Sequence, residues 1–375
     1  MSRLFQPLKV GNITLSTRII LPPLTRARAT DAHVPQSSHV KYYTQRASYP
    51  GTLLIAEGTI IAPEAGGWPN VPGIWNQEQI AAWKLVTDAV HKKGSHIFVQ
   101  LCGLGRAAQP AALEAELGTG RDGKVKGPSA IAFEGGAMPI EMTDEEILKN
   151  IESFRQAALN AIEAGFDGVE VHGANGYLID QFWHESSNQR TDSWGGSIEK
   201  RAKFGLEVTK AIVDAVGRER TGVRLSPFGT FQGMQMEQSK IEAEFSYITQ
   251  ELKKLNLAYL HLVECRADGS PGDVEAKDLK FVINIWGNTS PVFLAGGFSP
   301  ESAYKVLDED FKDFDVAIGF GRHFISNPDL VYRIKEKIQL TPYDRSAFYT
   351  NDQVLGYTDW PFSKEIGAEG IKLQA

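Results

Sequence analysis

Cysteine is nearly absent: the 375 residues hold two, Cys102 and Cys265. Two thiols cannot build a disulfide framework, a four-cysteine zinc site or an iron–sulfur cluster. A reducing, cytoplasmic setting suits such a chain. Cationic excess is missing as well. Lys and Arg number 39 against 46 Asp and Glu, a formal net charge of -7. That balance argues against a nucleic-acid partner, which selects for a basic face. It leaves room for an anionic ligand held by a few local arginines. No run approaches the roughly 20 apolar residues of a membrane helix. The start, MSRLFQPLKVGNITLSTRII, lacks the apolar core of a secretion signal. The closing IKLQA carries no retention or prenylation signal. With no nucleic acid and no membrane, the expected partner is a small molecule.

What is present is a rhythm. Short apolar or β-branched runs at 18–24, 52–58, 96–101, 167–172, 221–226, 258–264, 291–296 and 314–320 predict eight strands. Amphipathic stretches at 76–94, 143–165, 197–217 and 239–255 predict helices between them. Thr143 and Glu146 have the spacing of a capping box, and Gly165 suits the helix stop. Alternation of this kind implies a parallel sheet. Eight units fit an α/β fold, one (β/α)8 TIM barrel domain over 1–375. Segment 102–141, rich in Gly, Ala and charge, interrupts the third unit. It reads as a lid inserted after strand three, and its middle portion suits a solvated loop as well.

Side chains along a barrel strand alternate between the interior and the helices. In HIFVQL, the apolar Ile97, Val99 and Leu101 leave Gln100 inward. In DGVEVH, Val169 and Val171 leave Glu170 and His172 inward. In TGVRLS, Val223 and Leu225 leave Arg224 inward. Singly, each inward polar residue equally suits a satisfied core group. Together they converge on the C-terminal mouth, where barrels place their chemistry. AGGF at 295–298 and GFGRHF at 319–324 end the last two strands. Their glycines let backbone N–H groups approach an anion, and Arg322 adds a planar cation. A phosphate site after strands seven and eight is a common barrel arrangement.

The motifs HGANGYLIDQF and RTDSWGGSIEKR, with PLTRARA, FVQL, RLSPFG, HLVE and IGFGRHFISNPDL, resemble those of the Old Yellow Enzyme family of flavin-dependent ene-reductases. The likeness runs over nearly the whole chain and follows the yeast-like pattern, with Thr25 where a bacterial subgroup has Cys. It implies FMN across the barrel mouth and NADPH as the reductant. Thr25 would bond the flavin C4 carbonyl side, with Pro23, Leu24 and Gly58 lining the ring. Gln100 would bind the pyrimidine edge, and Arg224 would sit beside N1 and the C2 carbonyl. Gly296, Gly297, Gly321 and Arg322 would hold the phosphate, and Phe348 and Tyr349 would close the far wall. Trp68, Cys102 and Phe231 would line the substrate pocket. Cys102 replaces a frequent Trp and Trp68 a frequent Tyr, so substrate specificity does not transfer with the resemblance; Gly297 replaces a frequent Asn, a change that keeps phosphate binding through backbone N–H groups.

The implied reaction reduces the C=C bond of an α,β-unsaturated carbonyl or nitro compound: an enone, enal or nitroalkene. Hydride arrives at the β carbon from flavin N5, and Tyr177 gives a proton to the α carbon. His172 and Asn175 hold the substrate oxygen as charge develops there, the logic of an oxyanion hole. A phenol stays protonated at neutral pH and so qualifies as the donor. Relatives with this tyrosine replaced isomerise instead of reducing. Other readings are a pathway-specific reductase or isomerase of a secondary-metabolite aldehyde, a flavin-binding sensor, and a non-flavin phosphate-binding barrel. A glycosidase built on Glu57, Glu170 or Glu264 is a further rival. The expected assembly is a monomer or homodimer.

Overall fold

A computed structural model describes residues 2–118, 123–264 and 279–366. The expectations for Cys265 and for the closing IKLQA lie outside these residues. Eight parallel strands close a barrel: β1 (Ile19–Leu21), β2 (Leu53–Ile60), β3 (His96–Cys102), β4 (Gly168–Gly173), β5 (Thr221–Leu225), β6 (Tyr259–Val263), β7 (Val292–Ala295) and β8 (Val316–Gly319). Each pairs with its neighbours in chain order, and Ile318 beside Ile19 joins the last strand to the first. All eight expected strands are therefore present. The helices α1 (Ser37–Arg46), α2 (Gln77–His91), α3 (Asp144–Glu163), α4 (Ile198–Val216) and α5 (Gln238–Lys254) lie between them. At the start of α3, Thr143 accepts from the Glu146 N–H while Glu146 accepts from the Thr143 N–H, the expected capping box.

Two apolar clusters divide the strands by parity. Ile97, Val99, Val169, Val171 and Val223 belong to the large cluster shared with the helices. Ile20, Leu53, Ile55, Phe98, Tyr259, Phe293 and Ala317 form a second cluster inside the barrel. Residues next in register but higher on the inner face are polar, which leaves the mouth free for chemistry. The lower end is sealed by a hairpin the periodicity does not announce, because its strands have three residues each. Leu8–Val10 pairs antiparallel with Ile13–Leu15 and gives Leu8, Val10 and Leu15 to the inner cluster.

Segment 102–141 folds as a helix, Pro110–Leu117, and a two-stranded pairing of Lys126–Gly127 with Ile140–Glu141. Its described residues do not form the wall of the main cavity. They brace that wall from the side instead. Buried Arg106 donates to the carbonyls of Ile131 (3.1 Å) and Gln232 (3.0 Å), tying the insertion to the loop after β5.

The hairpin turn depends on Gly11, at φ +51°, where an added Cβ would lie 1.9 Å from the Glu219 carbonyl oxygen. That neighbour is backbone and cannot swing aside. Gly11→Ala should therefore lower the unfolding free energy by roughly 1–3 kcal/mol. A denaturant midpoint equal to the parent's would contradict this account of the barrel floor.

Candidate active site

The strand ends open into a cavity of about 470 Å³, within the usual range for a cofactor site. One end is polar. Gln100, His172 and Arg224 enter it from β3, β4 and β5, as the alternation predicts. His172 and Arg224 are register partners, as are Gln100 and Glu170. Glu170 lies below, fully buried. It accepts from Gln100 Nε2 (2.8 Å), Tyr259 Oη (3.1 Å) and His261 Nδ1 (2.8 Å). Burial alone would raise its pKa, but His261, Arg224 and the Gln100 hydrogen bond outweigh it and hold Glu170 below the usual carboxylate range. The bond from Gln100 also fixes its amide, leaving the carbonyl side toward Gly58.

Burial, reinforced by Arg224 and His261, holds the His172 imidazole well below its ordinary pKa, so it is neutral. Its Nδ1 and the Nε of Arg224 are buried without a hydrogen-bond partner. Such orphaned groups cost about 1–3 kcal/mol each unless a ligand pairs them. Next to them, the chain leaves β4 through Asn175 (φ 59°) and Gly176 (φ 74°). Tyr177 then caps a short helix, Leu178–Trp183. The rings of Tyr177 and His172 are 4.9 Å apart. Burial pushes the Tyr177 phenol well up, with the Gln232 amide acting weakly in the opposite sense. A protonated phenol thus stands beside the neutral His172 ring, with Asn175 lining the same cavity.

At the other end, glycine backbone and one arginine line the cavity. Gly296 and Gly297 leave β7 at φ 151° and 68°. A Cβ on Gly296 would sit 2.6 Å from the Glu264 Cβ, so only glycine lets the backbone pass. Gly321 and Arg322 follow β8 on the same wall, with the Arg322 guanidinium 5.5 Å from the Tyr343 ring centre. Pro23, Leu24 and Thr25 line the side between the two ends. Trp68, Phe231, Phe348 and Tyr349 form an aromatic entrance, with Trp68 and Tyr349 6.2 Å apart. Phe231 and Tyr349 remain 51% and 63% exposed, an arrangement that favours a ligand with a large apolar body.

All but two of the expected site residues thus share this cavity. Gly58 and Cys102 do not line it. Gly58 lies behind Gln100 and Thr25, and a Cβ there would come within 3.4 Å of Gln100 Oε1. Cys102 is buried and contributes nothing to the cavity lining. Burial pushes that thiol far up, so it stays protonated and unreactive. The glycosidase reading loses its pair of acids: Glu57 and Glu170 are fully buried off the wall, and of the three only Glu264 lines it.

Some functional positions were not expected. Arg26 and Arg28 are buried cations whose guanidinium groups donate to backbone carbonyls of the C-terminal segment. Arg26 reaches Phe348 (3.0 Å), Ala347 (3.2 Å) and Gly356 (2.9 Å), and Arg28 reaches Asp352 (2.7 Å) and Ala347 (2.9 Å). This strap carries Phe348 and Tyr349 to the entrance. PLTRARA was the signal, but its partners lie over 300 residues away. Arg345 also lines the cavity, and no motif marks it.

A planar, polar heterocycle with a phosphate tail fits these features. Arg224, His172 and Gln100 supply the polar edge, and Gly296, Gly297, Gly321 and Arg322 supply the anion end. Comparison with known proteins agrees. Residues 3–341 match the profile of the NADH:flavin oxidoreductase / NADH oxidase family. Chanoclavine-I aldehyde reductase fgaOx3 of Penicillium roqueforti is 51% identical over 98% of both chains. Aldehyde reductase FrzD of Cladobotryum is 49% identical over 96% of this chain and 95% of the relative. The probable inactive reductase easA of Epichloe festucae var. lolii is 46% identical over 99% and 98%. Among solved structures, morphinone reductase superposes with a TM-score of 0.86 at 38% identity, over 96% of each chain. An old yellow enzyme homologue from Zymomonas mobilis gives the same score at 37% identity, over 96% and 99%. The chain belongs to the NADH:flavin oxidoreductase / NADH oxidase family, as an Old Yellow Enzyme-type oxidoreductase that uses FMN and a reduced nicotinamide.

Proposed function

We propose that the enzyme reduces the C=C bond of an α,β-unsaturated aldehyde or ketone. The observation that carries this is the placement of His172, Asn175 and Tyr177 on one wall of the cavity that also holds Gln100 and Arg224. When bound, FMN supplies hydride chemistry between the reduced nicotinamide and the β carbon. His172, neutral, and Asn175 donate to the substrate oxygen and stabilise the charge that grows there. Tyr177 gives its proton to the α carbon, a role open to a phenol that burial keeps protonated. Arg224 places a permanent cation at the polar edge, where reduction accumulates negative charge. The aromatic entrance excludes water from the reacting carbons and accepts an apolar substrate body.

An aldehyde is favoured as the activating group by the names of two relatives, a chanoclavine-I aldehyde reductase and an aldehyde reductase. Likeness to a probable inactive reductase shows that overall identity does not select an activity. Tyr177 is the residue of this chain that favours reduction over isomerisation.

Three outcomes test the reading. Tyr177→Phe should leave reduction of the flavin by NADPH near the parental rate, because the phenol has no part in it. Reoxidation by a simple cyclic enone should fall about 10²–10⁴-fold. Both are followed by flavin absorbance in stopped flow, and unimpaired reoxidation would show that the proton has another source. Arg322→Ala should weaken retention of FMN far more than it slows turnover of the fraction still loaded. Equal FMN content after gel filtration would remove Arg322 from the phosphate site. Because His172 titrates only well below the ordinary value near 6.5, the enone reoxidation rate should lack a histidine-type inflection between about pH 6 and 8. An inflection that disappears in His172→Ala would contradict the neutral assignment.

A further inference from the structure

The Asn175–Gly176 turn is left-handed backbone, at φ 59° and 74°. A non-glycine residue in that region is uncommon and is held there by its surroundings. Here the restraint converges on one buried carboxyl group. Asp180 is fully buried, and its Oδ2 accepts the Gly176 N–H at 2.8 Å. The same oxygen lies 3.5 Å from Ser226 Oγ, and Ser226 accepts the Asn175 N–H at 2.7 Å. A hydroxyl that accepts from Asn175 still has its own proton to give to Asp180. Both N–H groups of the turn therefore end on Asp180, one directly and one through a single hydroxyl.

This is more than helix capping. The N-cap of the short helix is Tyr177, and Asp180 reaches past it to the N–H of the preceding residue. Behind Asp180, its Oδ1 stands 3.2 Å from Nε2 of His184, which is also fully buried. The His184 ring packs against Phe245, 5.6 Å between centres. Neighbouring Glu244 is paired with Arg201. The turn also has no room to relax: a Cβ on Gly176 would meet Gln232 Cβ at 2.9 Å and the Phe231 carbonyl oxygen at 3.0 Å.

We propose that Asp180 is a positioning residue: acting on Gly176 directly and on Asn175 through Ser226, it fixes the left-handed turn that presents Asn175 and Tyr177 to the substrate. The inference rests on the roles proposed above for those two residues. It assigns Asp180 no contact with the reacting atoms.

The test uses the full-length, FMN-loaded enzyme and four variants: Asp180→Leu, Asp180→Asn, Ser226→Ala and Asn175→Ala. For each, FMN content, the denaturation midpoint, the dissociation constant of 4-hydroxybenzaldehyde and the two half-reactions are measured. Asp180→Leu should keep FMN, bind the phenol more weakly and slow reoxidation by a cyclic enone roughly 10–100-fold, the scale for a misplacement of about 1 Å. Asp180→Asn retains an oxygen that can accept both donors and should restore most of the rate. Ser226→Ala, which deletes one atom, should fall between them and carries the test if Asp180→Leu does not fold. Parental phenol affinity and reoxidation in FMN-loaded Asp180→Leu or Ser226→Ala would overturn the proposal. So would a loss that merely tracks the fraction of folded protein. Parental behaviour of Asn175→Ala would instead overturn the donor role on which the inference rests.

Discussion

A strand in a closed barrel sends only every second side chain inward, and the site rests on that constraint. Parity puts Gln100, Glu170, His172 and Arg224 on the inner face while Val99, Val171 and Val223 pack against the helices. Shifting one strand by a single residue would exchange the two sets. The apolar lower layer around Phe98, Tyr259 and Phe293 then acts as the foundation on which the polar layer stands. Closure through the Ile19 and Ile318 pairing leaves no free edge along which the register could slip.

The polar layer is a small electrostatic device. Glu170 is paid for by three donors, one of which sets the amide of Gln100. Arg224 meets the buried charge of Glu170 on one side and keeps its Nε free on the other. The same cation helps to keep His172 neutral. A buried cation and a neutral imidazole side by side suit a site where negative charge comes and goes with reduction. The substrate wall is held differently, by a strained turn and a buried carboxyl group rather than by strand pairing.

Much of this was legible in the sequence for a physical reason. Inward polar residues stand out when their strand neighbours are Val, Ile and Leu, so Gln100, His172 and Arg224 declared themselves. Gly296, Gly297 and Gly321 were readable because glycines clustered at strand ends mark close backbone approach, and all three line the cavity. Other features left no local trace. The terminal hairpin has strands of three residues, too short for a period. Arg26 and Arg28 look like surface cations until the C-terminal carbonyls are in place. Cys102 occupies a position that the resemblance assigns to the pocket, and it is buried without lining the cavity. Segment 102–141 was expected over the mouth, and its described part braces the loop at 231–234 from the side.

In the proposed reaction two different hydrogens reach the substrate, one as hydride and one as a proton from Tyr177. Isotope placement separates them. An α,β-unsaturated aldehyde is reduced in D₂O with unlabelled NADPH, and the product is read by NMR. The expected product is a saturated aldehyde with deuterium at the α carbon and none at the β carbon. An unsaturated alcohol, or deuterium from solvent at the β carbon, would contradict it.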